Sequence, residues 1–208
     1  MPFIFKRLAL LTSIAAVLVP NKAWPAGKEQ PKFTPGPAAS YESHQTSEKV
    51  TIGVAAYVSD EETRPVFGKH NPYNYGVLPV LVVIQNDGAK SIRVDPLELV
   101  LVGPNRDRID ATPAEDVRYL SGPGKPSVVP NPLPTGSPKI GGHKNPLDTW
   151  EIEGRAFTAK MLPPGQSASG FFYFQSGFQR GSSLYLSGLR EADSGKELLY
   201  FEIPLLEK

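Results

Sequence analysis

The chain of 208 residues contains no cysteine. This absence excludes disulfides, zinc sites with thiolate ligands, thiol nucleophiles and lipid attachment to a cysteine. Histidine is scarce as well, because only His44, His70 and His143 occur, 26 and 73 residues apart. These intervals are not the spacings of a histidine metal site. We therefore expect neither a metal nor a cofactor.

Long apolar runs are also rare. The run at residues 8–19 has 12 residues, follows Lys6 and Arg7, and ends at Pro20. It is shorter than the roughly 20 residues that cross a bilayer, so it predicts a signal peptide over residues 1–26. Cleavage after Ala23 and an uncleaved anchor are the alternatives. We expect an exported protein, periplasmic or extracellular, that is not a lipoprotein because it has no cysteine.

Neither sign of charge is in clear excess. Without residues 1–26 the chain has 19 basic and 21 acidic residues, a formal net charge of −2. A nearly neutral surface gives no reason to expect nucleic acid or an anionic membrane as a partner. Another protein or an envelope component is the expected partner, and no membrane span should remain after cleavage.

Signals for long helices are weak, because 22 prolines and 19 glycines make up about a fifth of the chain. Apolar residues instead alternate over residues 50–58, which predicts a half-buried strand, and run unbroken over residues 77–84, which predicts a strand buried on both faces. Later strands are predicted at 168–175, 183–189 and 197–205. Asp193, Ser194 and Gly195 should turn the last pair into a hairpin.

Two short helices are indicated. Thr112, Pro113 and Glu115 predict a capped helix over residues 112–120, whose Val117 would face the core. Residues 147–161 favour a helix over a strand, ending before Pro163. The three acids at residues 60–62 are interpreted as solvated groups at the end of a strand.

These elements predict a mainly β protein, an antiparallel β-sandwich with one or two short helical insertions. Residues 27–47 are predicted to be a disordered linker, with an ordered first strand as the alternative. The sandwich domain would cover residues 48–208, with a Pro/Gly-rich loop inserted at 121–147.

Two segments carry a resemblance to a known kind of domain. The stretch "GVLPVLVVIQNDGAKSIRVDPLELVLV" and, some sixty residues on, "MLPPGQSASGFFYF" resemble bacterial exported domains with an immunoglobulin-like sandwich. The matching residues are Val80, Val82, Asn86, Leu162, Pro164, Gly165, Gly170 and Phe174. The resemblance implies the fold and an extracytoplasmic interaction module, and it carries no functional residue with it.

The second of these segments contains a strongly aromatic strand. Phe171 and Tyr173 should point to one face, and Phe172 and Phe174 to the other. Each buried ring removes a large apolar area from water, so the pattern predicts core packing. A ligand groove lined by Tyr173 is the alternative.

The most distinctive polar segment is "KHNPYNYG". Its residues His70, Asn71, Tyr73 and Tyr75 are typical of a contact loop, and we predict an interaction surface there. The alternative is that the tyrosines pack over the end of the sandwich. The segment also resembles the N-P-x-x-G loop of chagasin-like cysteine-protease inhibitors at Asn71 and Pro72, with the glycine displaced to Gly76.

No catalytic residue is predicted. No G-x-S-x-G elbow occurs, and no histidine lies beside a serine in a recognisable catalytic motif. We expect a non-catalytic binding or structural module of unknown ligand. A protease inhibitor, which would also use the segment "IGGH" at residues 140–143, and a hydrolase using His70 or His143 remain as alternatives.

Overall fold

The computed structural model describes residues 33–95, 97–120, 127–128, 140–141 and 145–207. The predicted signal peptide and much of the Pro/Gly-rich loop therefore lie outside the described residues. In chain order the strands are β1 (Ser43–Ser47), β2 (Val50–Ala56), β3 (Leu78–Asn86), β4 (Ile92–Arg93), β5 (Glu98–Val102), β6 (Arg108–Asp110), β7 (Ser127–Val128), β8 (Ile140–Gly141), β9 (Met161–Leu162), β10 (Ser167–Phe174), β11 (Ser183–Ser187), β12 (Arg190–Glu191) and β13 (Phe201–Pro204). The helices are α1 (Asp60–Phe67), α2 (Val117–Leu120) and α3 (Trp150–Gly154), with 3-10 helices at Ala38–Ser40 and Pro72–Tyr75.

Two four-stranded antiparallel sheets dominate the fold. Sheet I has the strand order β1-β2-β3-β10, and sheet II has the order β13-β11-β5-β6. The short strands β12, β4 and β9 form a three-stranded sheet, and β7 pairs with β8. The predicted fold class is confirmed: the protein is mainly β, with antiparallel sheets and short helices, and is consistent with a β-sandwich.

The main core lies where alternate side chains of both sheets are buried together. Ile52, Val54, Val80 and Val82 of sheet I belong to the same cluster as the inward residues of sheet II. Those inward residues are Leu99, Leu101, Leu184, Leu186, Phe201 and Ile203. Burial of each such side chain stabilises the fold by about 1.5–3 kcal/mol, before the loss of chain entropy is counted.

A second core covers the opposite face of sheet I. Leu81, Val83, Phe171 and Tyr173 pack there with side chains from the three helices, among them Phe67. The β3 strand is therefore buried on both faces, as predicted, and the two-faced placement of the β10 aromatics is confirmed, since Phe174 lies in the main core. The prediction of a half-buried β2 was wrong, because all seven of its residues are buried.

The reason for the buried β2 lies in the segment predicted to be a linker. Residues 33–41 lie against sheet I, and Ala38 is fully buried in the second core. A Cβ atom on Gly53 would lie 2.3 Å from the carbonyl oxygen of Ala38, so this close packing requires glycine. After that segment, β1 pairs with β2 along five residues. The prediction of a disordered linker was therefore wrong for residues 33–47, and the domain begins before residue 48.

Helix lengths differ from those predicted. The α2 helix begins at Val117, because the backbone N–H of Thr112 donates to the carbonyl of Tyr173 (2.7 Å) and holds residue 112 at the edge of sheet I. Val117 is buried as predicted. Residues 147–161 form only the five-residue α3, and β9 begins at Met161. Trp150 is 70% exposed. The helical spacing of the apolar residues in this segment therefore does not correspond to a helix face that packs in the core.

The later strands lie close to their predicted positions. The last two predicted strands correspond to β11 and β13, which pair antiparallel with Leu184 opposite Ile203. The bridge between Arg190 and Glu197 continues the same register, and the backbone N–H of Leu198 donates to the carbonyl of Leu189 (2.8 Å). The turn at residues 193–195 therefore joins the pair as a hairpin, as predicted, with β12 on its first arm.

Candidate interaction site

The predicted contact loop is part of an insertion between β2 and β3 that contains α1. Ser59 caps this helix: its Oγ accepts from the backbone N–H of Glu62, and the Glu62 carboxylate accepts from the backbone N–H of Ser59. Such a reciprocal pair satisfies two amides that would otherwise lack partners at the helix start. The acids at residues 60–62 thus occupy the first turn of a helix, where they oppose the positive end of its dipole, and not the end of a strand.

Asn71 fixes the loop to the start of the insertion. Its Nδ2 donates to the backbone carbonyl of Val58 (3.0 Å) and to Oδ1 of Asp60 (2.9 Å), while its Oδ1 accepts from the backbone N–H of Tyr73 (2.9 Å). The side chain is buried. Because all of these bonds are internal, Asn71 positions the loop and offers little polar surface to a partner.

The next turn is fixed by Tyr73 and Gly76. The Tyr73 hydroxyl accepts from the backbone N–H of Phe178 (3.2 Å), and its ring packs against the main core. Gly76 ends the 3-10 helix in the left-handed region, with φ of 79°. A residue with a side chain is strained there, so glycine favours this exit from the turn.

His70 and Tyr75 make up the accessible part of the loop. Tyr75 is 40% exposed, and its ring lies 6.5 Å from the imidazole of His70 in an edge-to-face arrangement. Exposed Asn74 stands beside them and donates from Nδ2 to Asp60 Oδ1 (3.1 Å). The loop therefore presents two rings and polar groups at its surface from a backbone held by buried bonds.

Sequence reasoning did not find α1, although the pattern Ser59-x-x-Glu62 is the signal of a capping box. The helix also contains Pro65, a residue type that is unfavourable in helix interiors and therefore argues against a helix in the sequence. This helix matters to the loop, since Asp60 in its first turn accepts from both Asn71 and Asn74.

Sequence reasoning also missed an aromatic surface on the outer face of sheet II. The rings of Tyr185 and Tyr200 stack 5.2 Å apart, and the guanidinium of Arg108 lies 5.3 Å from the Tyr185 ring. Tyr200 is 56% exposed. The alternation of Leu184, Tyr185 and Leu186 in β11 was the signal available in the sequence.

Tyr173 is among the residues around a cavity of about 340 Å³, as in the alternative of a groove, but its side chain offers almost no surface to a ligand. This side chain is 1% exposed, and its hydroxyl donates to the backbone carbonyl of Ile152 (2.7 Å). Burial raises the pKa of the Tyr173 hydroxyl well above its ordinary range. Tyr173 is a core residue that ties β10 to α3.

The histidines are dispersed. His44 is hydrogen-bonded through Nδ1 to the carbonyl of Tyr41 (2.7 Å), and His70 contacts Tyr75. His143 lies outside the described residues, as do residues 142–143 of the segment compared with the inhibitor loop. Within the described ranges, no group of three or more His, Asp or Glu side chains could hold a metal ion. The inhibitor and hydrolase alternatives remain untested predictions.

No helix in the described part of the chain is both long enough and apolar enough to cross a membrane. Neither a protein-family model nor a curated protein matches the chain. Among solved structures it is similar to the yjhA protein from Bacillus subtilis, with 12% sequence identity and a TM-score of 0.44. That similarity covers 80% of this chain and 98% of the other.

Proposed function

We propose that this protein is an exported, non-catalytic module with an immunoglobulin-like sandwich, which binds another protein or an envelope component through the loop at residues 70–75. The observation that carries the proposal is the construction of this loop. Asn71 and Tyr73 hold its backbone through internal hydrogen bonds, while the exposed ring of Tyr75 lies beside the half-buried His70. Fixed loops with accessible aromatic rings bind with little loss of conformational entropy.

The strand orders support the immunoglobulin-like part of the proposal. In that fold the first, second and fifth strands share one sheet, and the third, sixth and seventh share the other. Here β2, β3 and β10 would be the first set, and β5, β11 and β13 the second. Export is supported by the composition of residues 1–26, and the mass of the mature protein from its native cells tests it.

The binding surface can be tested by site-specific photo-crosslinking in the native envelope. A photoreactive phenylalanine analogue at position 75 should give a discrete adduct with one macromolecule. The matched control is the same analogue at position 200, where a tyrosine of similar exposure lies on sheet II. Equal adducts at both positions, or none at position 75, would contradict the proposal.

Once the partner is recovered by the crosslink, Tyr75→Ala should weaken its binding by about 30-fold, the effect of an interface residue worth about 2 kcal/mol. The stability of the variant should change by less than about 0.5 kcal/mol, because the ring is at the surface. Binding that is unchanged in Tyr75→Ala and in His70→Ala would show that this loop is not the contact surface.

A further inference from the structure

Arg155 carries a charge that the fold does not neutralise. Within the residues that the structure describes, Arg155 forms no ion pair with a carboxylate, unlike Arg93, Arg118 and Arg190. It differs from the other arginines without an ion pair because its Nε is buried and has no hydrogen-bond partner. A buried guanidinium N–H without a hydrogen-bond partner costs free energy, because it has given up its bond to water.

The backbone of Arg155 is fixed by hydrogen bonds on both sides. Its N–H donates to the carbonyl of Glu151 (3.0 Å) at the end of α3, and its carbonyl accepts from the N–H of Phe171 (2.8 Å) at the edge of sheet I. The guanidinium carbon lies 5.8 Å from the centre of the Phe33 ring. A contact with an aromatic face orients the guanidinium plane and stabilises its charge.

Arg155 lines a cavity of about 200 Å³. Phe33, Pro35 and Phe171 contribute apolar walls, and Thr158 and Ser169 contribute hydroxyl groups. None of the residues that line the cavity is acidic. A small space with one fixed cation, hydroxyl donors and no competing carboxylate has the chemistry of an anion site.

We propose that this cavity binds a carboxylate group through Arg155. A carboxylate is planar and matches the fork of a guanidinium with two parallel hydrogen bonds. A phosphate can bind the same fork, so the titration below compares the two anions. The hydroxyls of Thr158 and Ser169 can donate to the same group. This site is separate from the contact loop and does not depend on the function proposed above.

The test uses the full chain and the Nε–H resonance of Arg155 in ¹H–¹⁵N spectra, assigned by its loss in Arg155→Lys. The protein is titrated in three separate series, with sodium acetate, sodium chloride and inorganic phosphate, all at equal ionic strength. Acetate should move the resonance along a saturating curve that chloride does not reproduce. Arg155→Lys keeps the positive charge but lacks the paired N–H donors of a guanidinium. This variant should bind acetate at least about tenfold more weakly, measured from amide signals near the cavity.

Arg180→Lys is the matched control, since Arg180 is an exposed arginine away from this cavity, and it should leave acetate binding unchanged. A linear, unsaturated response to acetate, or the same response to chloride, would overturn the site. Phosphate binding as tight as acetate binding would overturn the assignment to a carboxylate. Both points are decided on the unsubstituted chain, and if Arg155→Lys does not fold, triple-resonance spectra of the unsubstituted chain assign the Nε–H signal instead.

Discussion

At the scale of single residues, Asn86 connects the two segments that resemble exported immunoglobulin-like domains, residues 76–102 and 161–174. It ends β3, and its side chain is 1% exposed. Its Nδ2 donates to the carbonyls of Lys90 (2.8 Å) and Leu162 (3.0 Å), and its Oδ1 accepts from the N–H of Gly88 (3.0 Å). The backbone N–H of Gly165 donates to the Asn86 carbonyl (2.7 Å). One asparagine thus joins the turn after β3 to the turn before β10.

We predict that Asn86→Ala lowers the free energy of unfolding by about 2–4 kcal/mol, because it removes three hydrogen bonds and leaves the buried Leu162 carbonyl and the Lys90 carbonyl without this donor. Urea unfolding measures this loss. If the slope of the free energy of unfolding against urea concentration is unchanged, the folded and unfolded states expose the same surface as in the unsubstituted protein.

Gln85→Ala is the control for this variant. Gln85 is the neighbouring residue, and its side chain bonds only to Asp87 at the surface (2.8 Å). We expect its removal to change stability by less than about 0.5 kcal/mol. Equal losses in the two variants would mean that the buried bonds of Asn86 contribute nothing beyond those of a surface amide.

At the scale of elements, the segment at residues 33–41 decides how β2 is buried. It belongs to residues 27–47, which are rich in Pro, Lys, Ser and Gly, and this composition is why its sequence resembles a linker. It is held by a few specific contacts: Ala38 against Gly53, and the Phe33 ring 6.2 Å from Tyr57 and 5.8 Å from Phe171. Such contacts depend on residues far apart in the chain, and composition does not report them.

Gly53→Ala should therefore displace residues 33–41 from sheet I, because the added carbon would lie 2.3 Å from the Ala38 oxygen and 3.0 Å from its carbonyl carbon. Backbone atoms cannot yield locally as a flexible side chain can. Hydrogen exchange should show loss of protection over residues 33–41, while β3 and β10 stay protected.

For comparison, Gly195→Ala places a side chain at φ of 68° in open space. It should lower stability by about 1 kcal/mol through backbone strain and leave exchange at residues 33–41 unchanged. If Gly53→Ala also left that exchange unchanged, the segment would not be packed against β2 in solution.

At the scale of the whole molecule, the second core contains two buried phenols. Burial, with a smaller effect of the Glu62 charge, raises the pKa of Tyr57 from 10.0 to about 12. Burial also raises the pKa of Tyr173. The folded protein therefore keeps these protons at a pH where the unfolded chain releases them. Stability is at its full value below about pH 10 and falls as the pH rises above it.

We predict that the free energy of unfolding falls by about 1.4 kcal/mol per pH unit above pH 10 for Tyr173 alone. Tyr173→Phe should be less stable at neutral pH by about 1–2 kcal/mol, because the Ile152 carbonyl loses its donor. Above pH 10, the alkaline slope of this variant, that is, the fall in its free energy of unfolding per pH unit, should be smaller by the same 1.4 kcal/mol. Urea unfolding between pH 8 and about 11.5 measures both effects.

Tyr200→Phe serves as the control, since it removes a phenol that is 56% exposed. Its alkaline slope should match that of the unsubstituted protein. A slope in Tyr173→Phe equal to that of the unsubstituted protein would mean that the Tyr173 hydroxyl titrates alike in the folded and unfolded states.

Local patterns were enough to predict the mainly β class, the two-sided burial of β3, the facing of the β10 aromatics and the approximate positions of the later strands. These features follow from the two-residue period of a strand and from turn residues, which act over a few neighbouring positions. The α1 helix was missed for a different reason: its capping pattern at Ser59 and Glu62 is local, but the acids at residues 60–62 were interpreted as the end of a strand.

Contacts between residues far apart in the chain determined the packing of residues 33–47, the arrangement of the contact loop and the surroundings of Arg155. Residues 33–47 join sheet I because Gly53 leaves room for Ala38 and because β1 finds a partner in β2. The four residues predicted for the contact loop divide into a pair with internal hydrogen bonds, Asn71 and Tyr73, and a pair whose rings contact each other, His70 and Tyr75. Val58, Asp60 and Phe178 lie beside the first pair and provide its partners. The unpaired charge of Arg155 likewise becomes visible only once its neighbours are known. Residue type states which bonds a side chain can make, and the fold determines which partners are within reach.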